Sequence, residues 1–145
     1  MLNIILLELS YDQSRYKGTL KEVSKEKQID PLTDEGSAIL SDRLKKTFLE
    51  GRIQRLWSRD IVSRNPSASC YIVVQMSIDA DGKPSNISIQ LSNIFGVVET
   101  DKSLLEAFEQ NVGDLIFGEL RFPPLTNPVT GADQLTFQYS LVRRK

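Results

Sequence analysis

Residues 70–91 read CYIVVQMSIDADGKPSNISIQL, and this stretch decides how the chain folds. Residues 70–78 alternate between apolar and more polar positions, and residues 86–91 alternate in the same way. A short acidic link that contains Gly82 and Pro84 joins the two runs. Two alternating runs around such a link predict a β-hairpin, with Pro84 at the turn end of the second strand because proline cannot donate to a ladder. The apolar positions are Ile72, Val74, Met76 and Ile78 in the first run, and Ile87, Ile89 and Leu91 in the second.

The acidic link has two chemical interpretations besides a turn. A calcium loop of the EF-hand type requires glycine at position 6 and glutamate at position 12. Counted from Asp79, these positions hold Pro84 and Gln90, and the ligand position 5 holds Lys83. A general acid/base pair requires a cleft that makes the two carboxylates unequal, and the sequence indicates none. We therefore interpret Asp79 and Asp81 as turn residues.

The composition excludes several classes of function. The chain has 145 residues, 40% of them hydrophobic and 26% charged, as is typical of one soluble globular domain. It has no histidine, which excludes imidazole-based triads and zinc sites with histidine ligands. Its one cysteine, Cys70, cannot form an intrachain disulfide and is predicted to be a packed residue. We predict no catalytic residue, no metal site and no cofactor.

The N-terminal residues differ from the rest of the chain in composition. Residues 1–9, MLNIILLEL, fit a short strand and fall short of the roughly 20 apolar residues of a spanning helix. They also lack the features of a secretory signal. Residues 10–35 are polar and without firm periodicity, except for a weak helical pattern over residues 20–27. We therefore predict an arm or linker over residues 1–36 and a domain over residues 37–145.

Two helices and a third strand complete the predicted domain. Residues 37–61 have a broad apolar stripe typical of a helix, with Thr33, Asp34 and Ser37 as candidate caps. A second helix follows Asp101, and residues 134–142 alternate as a last strand. The order helix, strand, strand, helix, strand predicts an α+β fold, in which a small antiparallel three-stranded sheet packs against two helices on one face.

Residues 52–142 contain, in order, a tryptophan-bearing helix, a strand that ends in an acidic glycine turn, a second strand, a loop and short helix, an F-P-P element and a last strand. These segments are residues 53–57, 73–83, 86–89, 92–108, 122–124 and 135–141. In this order they resemble the C-terminal domain of the TonB/TolA energy-transducing proteins of Gram-negative envelopes. The loop over residues 92–101 is longer than usual, and none of the segments above corresponds to the family's membrane anchor or spacer.

The resemblance implies a non-catalytic protein-interaction module of the bacterial periplasm. Such domains bind an extended segment of an envelope or outer-membrane protein by strand addition at a sheet edge. The last strand is the candidate edge, with its polar alternate side chains toward solvent. The predicted partner-binding residues are Gln134, Thr136, Gln138, Ser140 and Val142. The opposing interpretation is that residues 1–9 cover this edge, in which case the arm would compete with the partner.

Other interpretations stay open at this stage. A soluble, cytoplasmic adaptor could use the basic helix over residues 43–59 to bind acidic partners or nucleic acid, although the net charge of −1 does not favour it. A small enzyme with an unmarked site is a third interpretation. An open edge strand also permits a strand-exchanged homodimer. We expect no nucleic acid as partner and no membrane insertion by this chain.

Overall fold

The computed structural model describes residues 6–45 and 50–142, with Glu50 described by its backbone alone. The β-strands are β1 (Leu6–Ser10), β2 (Ser69–Ile78), β3 (Pro84–Phe95) and β4 (Leu135–Leu141). The α-helices are α1 (Asp34–Leu44), α2 (Glu50–Trp57) and α3 (Lys102–Glu119), and a π-helical turn over Ser58–Val62 follows α2.

The four strands form one antiparallel sheet in the order β1-β3-β2-β4. The predicted α+β class and the predicted hairpin β2–β3 are confirmed. The predicted number of three strands is wrong, because β1 adds a fourth strand beside β3. Two helices were predicted, and residues 6–45 and 50–142 contain three α-helices.

Strand β1 joins the sheet because its apolar residues continue the face that packs against the helices. Leu7 lies opposite Leu91 and Leu9 lies opposite Ile89, both of which are fully buried. β1 therefore covers the β3 edge, while β4 lies at the far edge beside β2. The interpretation that residues 1–9 cover the last strand is wrong for the part described, residues 6–9. The segment predicted as an arm thus contributes a strand to the sheet.

Strand β3 is longer than the alternating run that predicted it. Two bulges interrupt the alternation, so the pattern covers only the middle of the strand. At each bulge β3 advances three residues while β2 advances two, and Asn86 and Asn93 have φ of 48° and 50° there. Asparagine tolerates this left-handed conformation better than most residues, and the extra residue is characteristic of a β-bulge. The bulges return Pro84 and Ile94 to the buried face at the two ends of β3.

The acidic link is a turn, as predicted. The Asp79 carboxylate accepts hydrogen bonds from the backbone N–H groups of Asp81 and Lys83 at 2.9 and 3.0 Å. Gly82 has φ of 85°, and its carbonyl accepts a hydrogen bond from Phe122 N–H at 2.9 Å. The turn therefore holds the F-P-P segment that follows α3.

The predicted helix over residues 37–61 is described as two α-helices, with residues 46–49 outside the described part. Of the three candidate caps, Thr33 is the one confirmed, because its hydroxyl accepts from Gly36 N–H at 3.0 Å. The fully buried Trp57 packs edge-on against Phe108 of α3, with ring centroids 5.2 Å apart. This contact joins α2 to the centre of the core.

Residues 11–33 pack against the helical side of the protein, and backbone hydrogen bonds make many of the contacts that hold them there. Tyr11 is buried and donates a hydrogen bond to the Asp114 carboxylate on α3. Lys21 N–H donates to Gly118 C=O at 2.8 Å, and Ile29 forms a parallel bridge with Leu125. The weak helix predicted over residues 20–27 is wrong, since that segment has no helical turn.

Candidate protein-interaction site

Strand β4 lies at one edge of the sheet. It pairs with β2 from Met76↔Leu135 to Cys70↔Leu141, and no strand of the described residues pairs with its other side. Alternate residues of an antiparallel edge strand direct N–H and C=O groups away from the sheet, where another strand can bind them. Residues 134–142 contain no charged residue and no proline, the two features that usually protect such an edge.

The predicted alternation of β4 is confirmed. Phe137 and Leu141 are buried toward the helices, while Thr136, Gln138 and Ser140 are exposed on the opposite face. Gln138 is not wholly free, because its side-chain oxygen accepts a hydrogen bond from the Tyr71 hydroxyl at 2.8 Å. The exposed face of β4 is thus polar and uncharged.

The two remaining predicted residues lie just outside β4 and fix its ends. The Gln134 side chain donates to the Ser77 hydroxyl at 3.1 Å. Val142 C=O accepts a hydrogen bond at 2.6 Å from the side chain of Gln54, a buried residue of α2. The Val142 side chain remains 42% exposed. β4 is therefore an edge strand held at both ends, and holding a strand in place reduces the ordering cost of pairing with a partner.

The sheet face that carries no helix is nearly free of charge. The register aligns its side chains in three rows of four, each row crossing β1, β3, β2 and β4. The rows are Leu6, Ser92, Tyr71 and Ser140; Glu8, Gln90, Val73 and Gln138; and Ser10, Ser88, Gln75 and Thr136. Among the twelve residues Glu8 alone is charged, and it accepts a hydrogen bond from Gln90 at 2.7 Å. Depletion of charge is typical of the central part of protein interfaces.

One end of this open face is apolar. Phe95 lies opposite Ser69 in the register and is 67% exposed, and Val142 follows Ser140 on the same side. Between them is a cavity of about 210 Å³. Its lining includes Ser69, Tyr71, Asn93, Phe95, Ser140 and Val142. Large exposed apolar residues grouped beside an unpaired edge favour a role in binding.

Three of the six basic residues in the helix predicted over residues 43–59 pair with carboxylates of the described chain. Arg43 binds the Glu26 carboxylate through two N–H groups at 2.7 Å, and this contact lowers the Glu26 pKa to about 2. Arg52 binds the Glu119 carboxylate at 2.9 and 3.1 Å. Arg59 pairs with its neighbour Asp60 at 2.6 Å. These pairs leave less positive charge for an acidic partner than the sequence alone indicates.

A cavity of about 540 Å³ lies beside these pairs, away from the β4 edge. Its walls include Lys21, Arg43, Arg52, Glu119 and Arg121. Arg121 is 5% exposed and donates to the carbonyls of Lys21, Phe117 and Leu120. These carbonyls accept hydrogen bonds from Arg121, and the carboxylates of Glu26 and Glu119 are bound by Arg43 and Arg52. The cavity therefore lies at the junction of α1, α2 and the end of α3 with the N-terminal segment.

The titratable groups of the core are shielded from solvent. Burial raises the pKa of the Cys70 thiol to about 12, so the thiol stays protonated at neutral pH. Glu109 of α3 is 2% exposed, and burial together with the nearby Glu106 and Glu8 raises its pKa to about 7. Within the described residues its Oε2 has no hydrogen-bond partner.

No group of three or more potential metal ligands occurs in residues 6–45 and 50–142. Nor is any helix of the described chain sufficiently long and apolar to span a bilayer.

Sequence reasoning missed Phe95, Tyr71 and the nearly uncharged rows of the open face. The signal for the rows was present in the alternation of β2 and β3, whose solvent positions are serine, glutamine, tyrosine and valine. Phe95 could not be placed, because the bulge at Asn93 shifts the alternation before it. No protein-family model, curated protein or solved structure matches the chain, so the fold and this edge of the sheet are the basis for a function.

Proposed function

We propose that the chain is a non-catalytic protein-interaction module that binds an extended segment of another protein by strand addition to β4. The observation that carries this proposal is the edge itself. Over residues 134–142 it is uncharged, free of proline and fixed at both ends, and no strand of the described residues pairs with its outer side. Main-chain hydrogen bonds to such an edge supply affinity, and the alternate side chains supply selectivity.

The other edge supports the choice of β4. In the described residues β1 runs over Leu6–Ser10 and carries Glu8, and a charged residue on an edge strand opposes pairing with a further strand. β4 has seven residues, and the rings of Phe137 and Tyr139 stack on its helix-facing side with centroids 5.9 Å apart. A partner strand beside β4 would extend the sheet from four to five strands.

The proposed setting is the bacterial envelope, and the proposed partners are outer-membrane or envelope proteins with an extended docking segment. This part of the proposal depends on the resemblance of residues 52–142 to the TonB/TolA C-terminal domains. The helix, strand, strand, helix, strand order over residues 50–141 supports it.

The test is an amide NMR titration of the ¹⁵N-labelled chain with peptides from the extended N-terminal segments of outer-membrane transporters. We expect chemical-shift changes concentrated on residues 134–142 and on β2 beside them. Slower hydrogen exchange of the outward-facing β4 amides is expected at saturation, because these amides gain a carbonyl partner.

A matched pair of variants separates docking at β4 from unspecific contact. Gln138→Lys places a charge on the edge strand, and Gln75→Lys places the same charge on β2, also exposed on the open face. We expect the first variant to weaken peptide binding more than the second. Shifts along residues 43–59 on addition of a polyanion, with none on β4 for any peptide, would contradict the proposal and favour the basic-helix adaptor.

A further inference from the structure

The end of the β4 edge continues into the apolar cavity on the open face. Residues Ser140, Leu141 and Val142 belong both to the edge and to the cavity lining. Paired strands lie about 4.8 Å apart, so a segment paired along β4 runs directly beside the cavity at Ser140 and Val142. The cavity and the edge therefore lie within the reach of one extended segment.

The cavity exists because a small residue separates two large apolar ones. Ser69 lies on β2 between Phe95 of β3 and Val142, and Tyr71 closes the cavity toward the middle of the face. The cavity is open toward solvent, and its volume of about 210 Å³ exceeds the roughly 150 Å³ of an enclosed cavity that holds a benzene ring. No lining residue is charged, and the polar ones are Ser69, Asn93 and Ser140.

The chemistry of this lining selects the kind of side chain that it can hold. Phe95 is 67% exposed and Val142 is 42% exposed, so covering them removes apolar surface from water. A carboxylate or ammonium group placed there would lose hydration, and none of the residues that line the cavity carries a charge to offset that loss. An aromatic or aliphatic residue covers this apolar surface and carries no charge whose hydration would be lost.

We propose that this cavity is a side-chain pocket for the segment that docks on β4, and that it binds an uncharged, aromatic or large aliphatic residue next to the paired stretch. This inference rests on the proposed function, because the pocket is defined by its continuity with the docking edge. It makes the partner an extended, uncharged segment with one apolar anchor at the Val142 end of β4.

The test uses designed peptides with the full chain. Each peptide has seven alternating threonine and valine residues for pairing, extended by Gly-Phe or by Gly-Asp, and a lysine at the far end for solubility. Both peptide polarities are made, because the direction of pairing is left free. We expect one Gly-Phe peptide to bind about tenfold or more tighter than its Gly-Asp counterpart, as burial of one aromatic side chain implies.

Two variants identify the pocket. Phe95→Ser is expected to abolish the advantage of the Gly-Phe peptide, whereas Val98→Ser, at an exposed valine three residues away that does not line the cavity, is expected to retain it. Both positions are exposed, so both variants are expected to fold, and their amide spectra verify this.

The outcomes distinguish the pocket from the docking edge. Equal affinity of the Gly-Phe and Gly-Asp peptides, with β4 amides shifting in both titrations, would overturn the pocket and leave strand addition intact. The absence of β4 shifts with every peptide would overturn strand addition and the pocket together. Self-association that depends on Phe95, measured by sedimentation without peptide, would assign the cavity to contact between two copies and also overturn the proposal.

Discussion

At the scale of single residues, Glu109 is the side chain whose position is least expected. It is 2% exposed on α3, with Cys70, Glu106 and Glu8 as the neighbouring titratable groups. Burial is the main cause that raises its pKa from 4.5 to about 7. The folded chain thus keeps a proton on Glu109 at a pH where the unfolded chain has released it.

This difference predicts a pH-dependent stability. The contribution of protonated Glu109 is complete below pH 4.5 and is lost as the pH rises through about 7. We expect Glu109→Gln to raise the free energy of unfolding by about 1–3 kcal/mol at pH 8 and to change it little at pH 4.5. Urea unfolding at the two pH values measures it, with Glu22→Gln as control, since Glu22 is exposed and is not among the groups that raise the Glu109 pKa. The chain has no histidine to obscure the result, and equal effects at both pH values would contradict it.

At the scale of elements, the turn between β2 and β3 predicts a strong effect of a single methyl group. Gly82 has φ of 85°, and a Cβ there would lie 2.2 Å from the Phe122 carbonyl oxygen. We expect Gly82→Ala to lower the free energy of unfolding by about 2 kcal/mol or more, because it combines backbone strain with a clash. Chemical unfolding measures the change. Gly131→Ala is the control, since Gly131 also has a positive φ but a Cβ there would have no atom within 4 Å. Equal losses in the free energy of unfolding would contradict the role of the clash and attribute the effect to backbone strain alone.

The elements also show what periodicity can and cannot predict. The apolar stripe of α3 and the alternation of β4 predicted the buried positions correctly. These positions are Leu105, Phe108, Val112, Phe137 and Leu141. Residues 92–95 were interpreted as loop, since the bulge at Asn93 puts the alternation out of phase. The path of residues 11–33 was not readable, because backbone groups without a sequence signature make many of its contacts.

At the scale of the whole molecule, β1 and β4 are opposite edges of one sheet, separated by β3 and β2. The candidate edge was predictable from the sequence, but the place of the N-terminal strand was not, because pairing between distant segments leaves no local pattern. Peptide binding at β4 is therefore expected to be independent of β1.

A pair of substitutions in β1 tests this independence. Leu9→Asp places a charge where Leu9 packs against the core, and we expect a loss of about 2 kcal/mol in the free energy of unfolding. Leu6→Asp, on the open face, is the control and is expected to cost much less. Both variants should bind β4-directed peptides with the affinity of the native chain. Tighter binding by Leu9→Asp would mean instead that the N-terminal strand competes with the partner.

The two edges of the sheet have a further consequence for how the protein behaves in concentrated solution. A molecule that presents pairing groups on both sides can add copies without closing into a ring, and it then grows as a ribbon. Glu8 opposes such growth at β1, whereas residues 134–142 carry no charge that opposes it at β4. Turbidity on prolonged storage is therefore expected to start from β4, and a bound peptide or a lysine at position 138 should delay it.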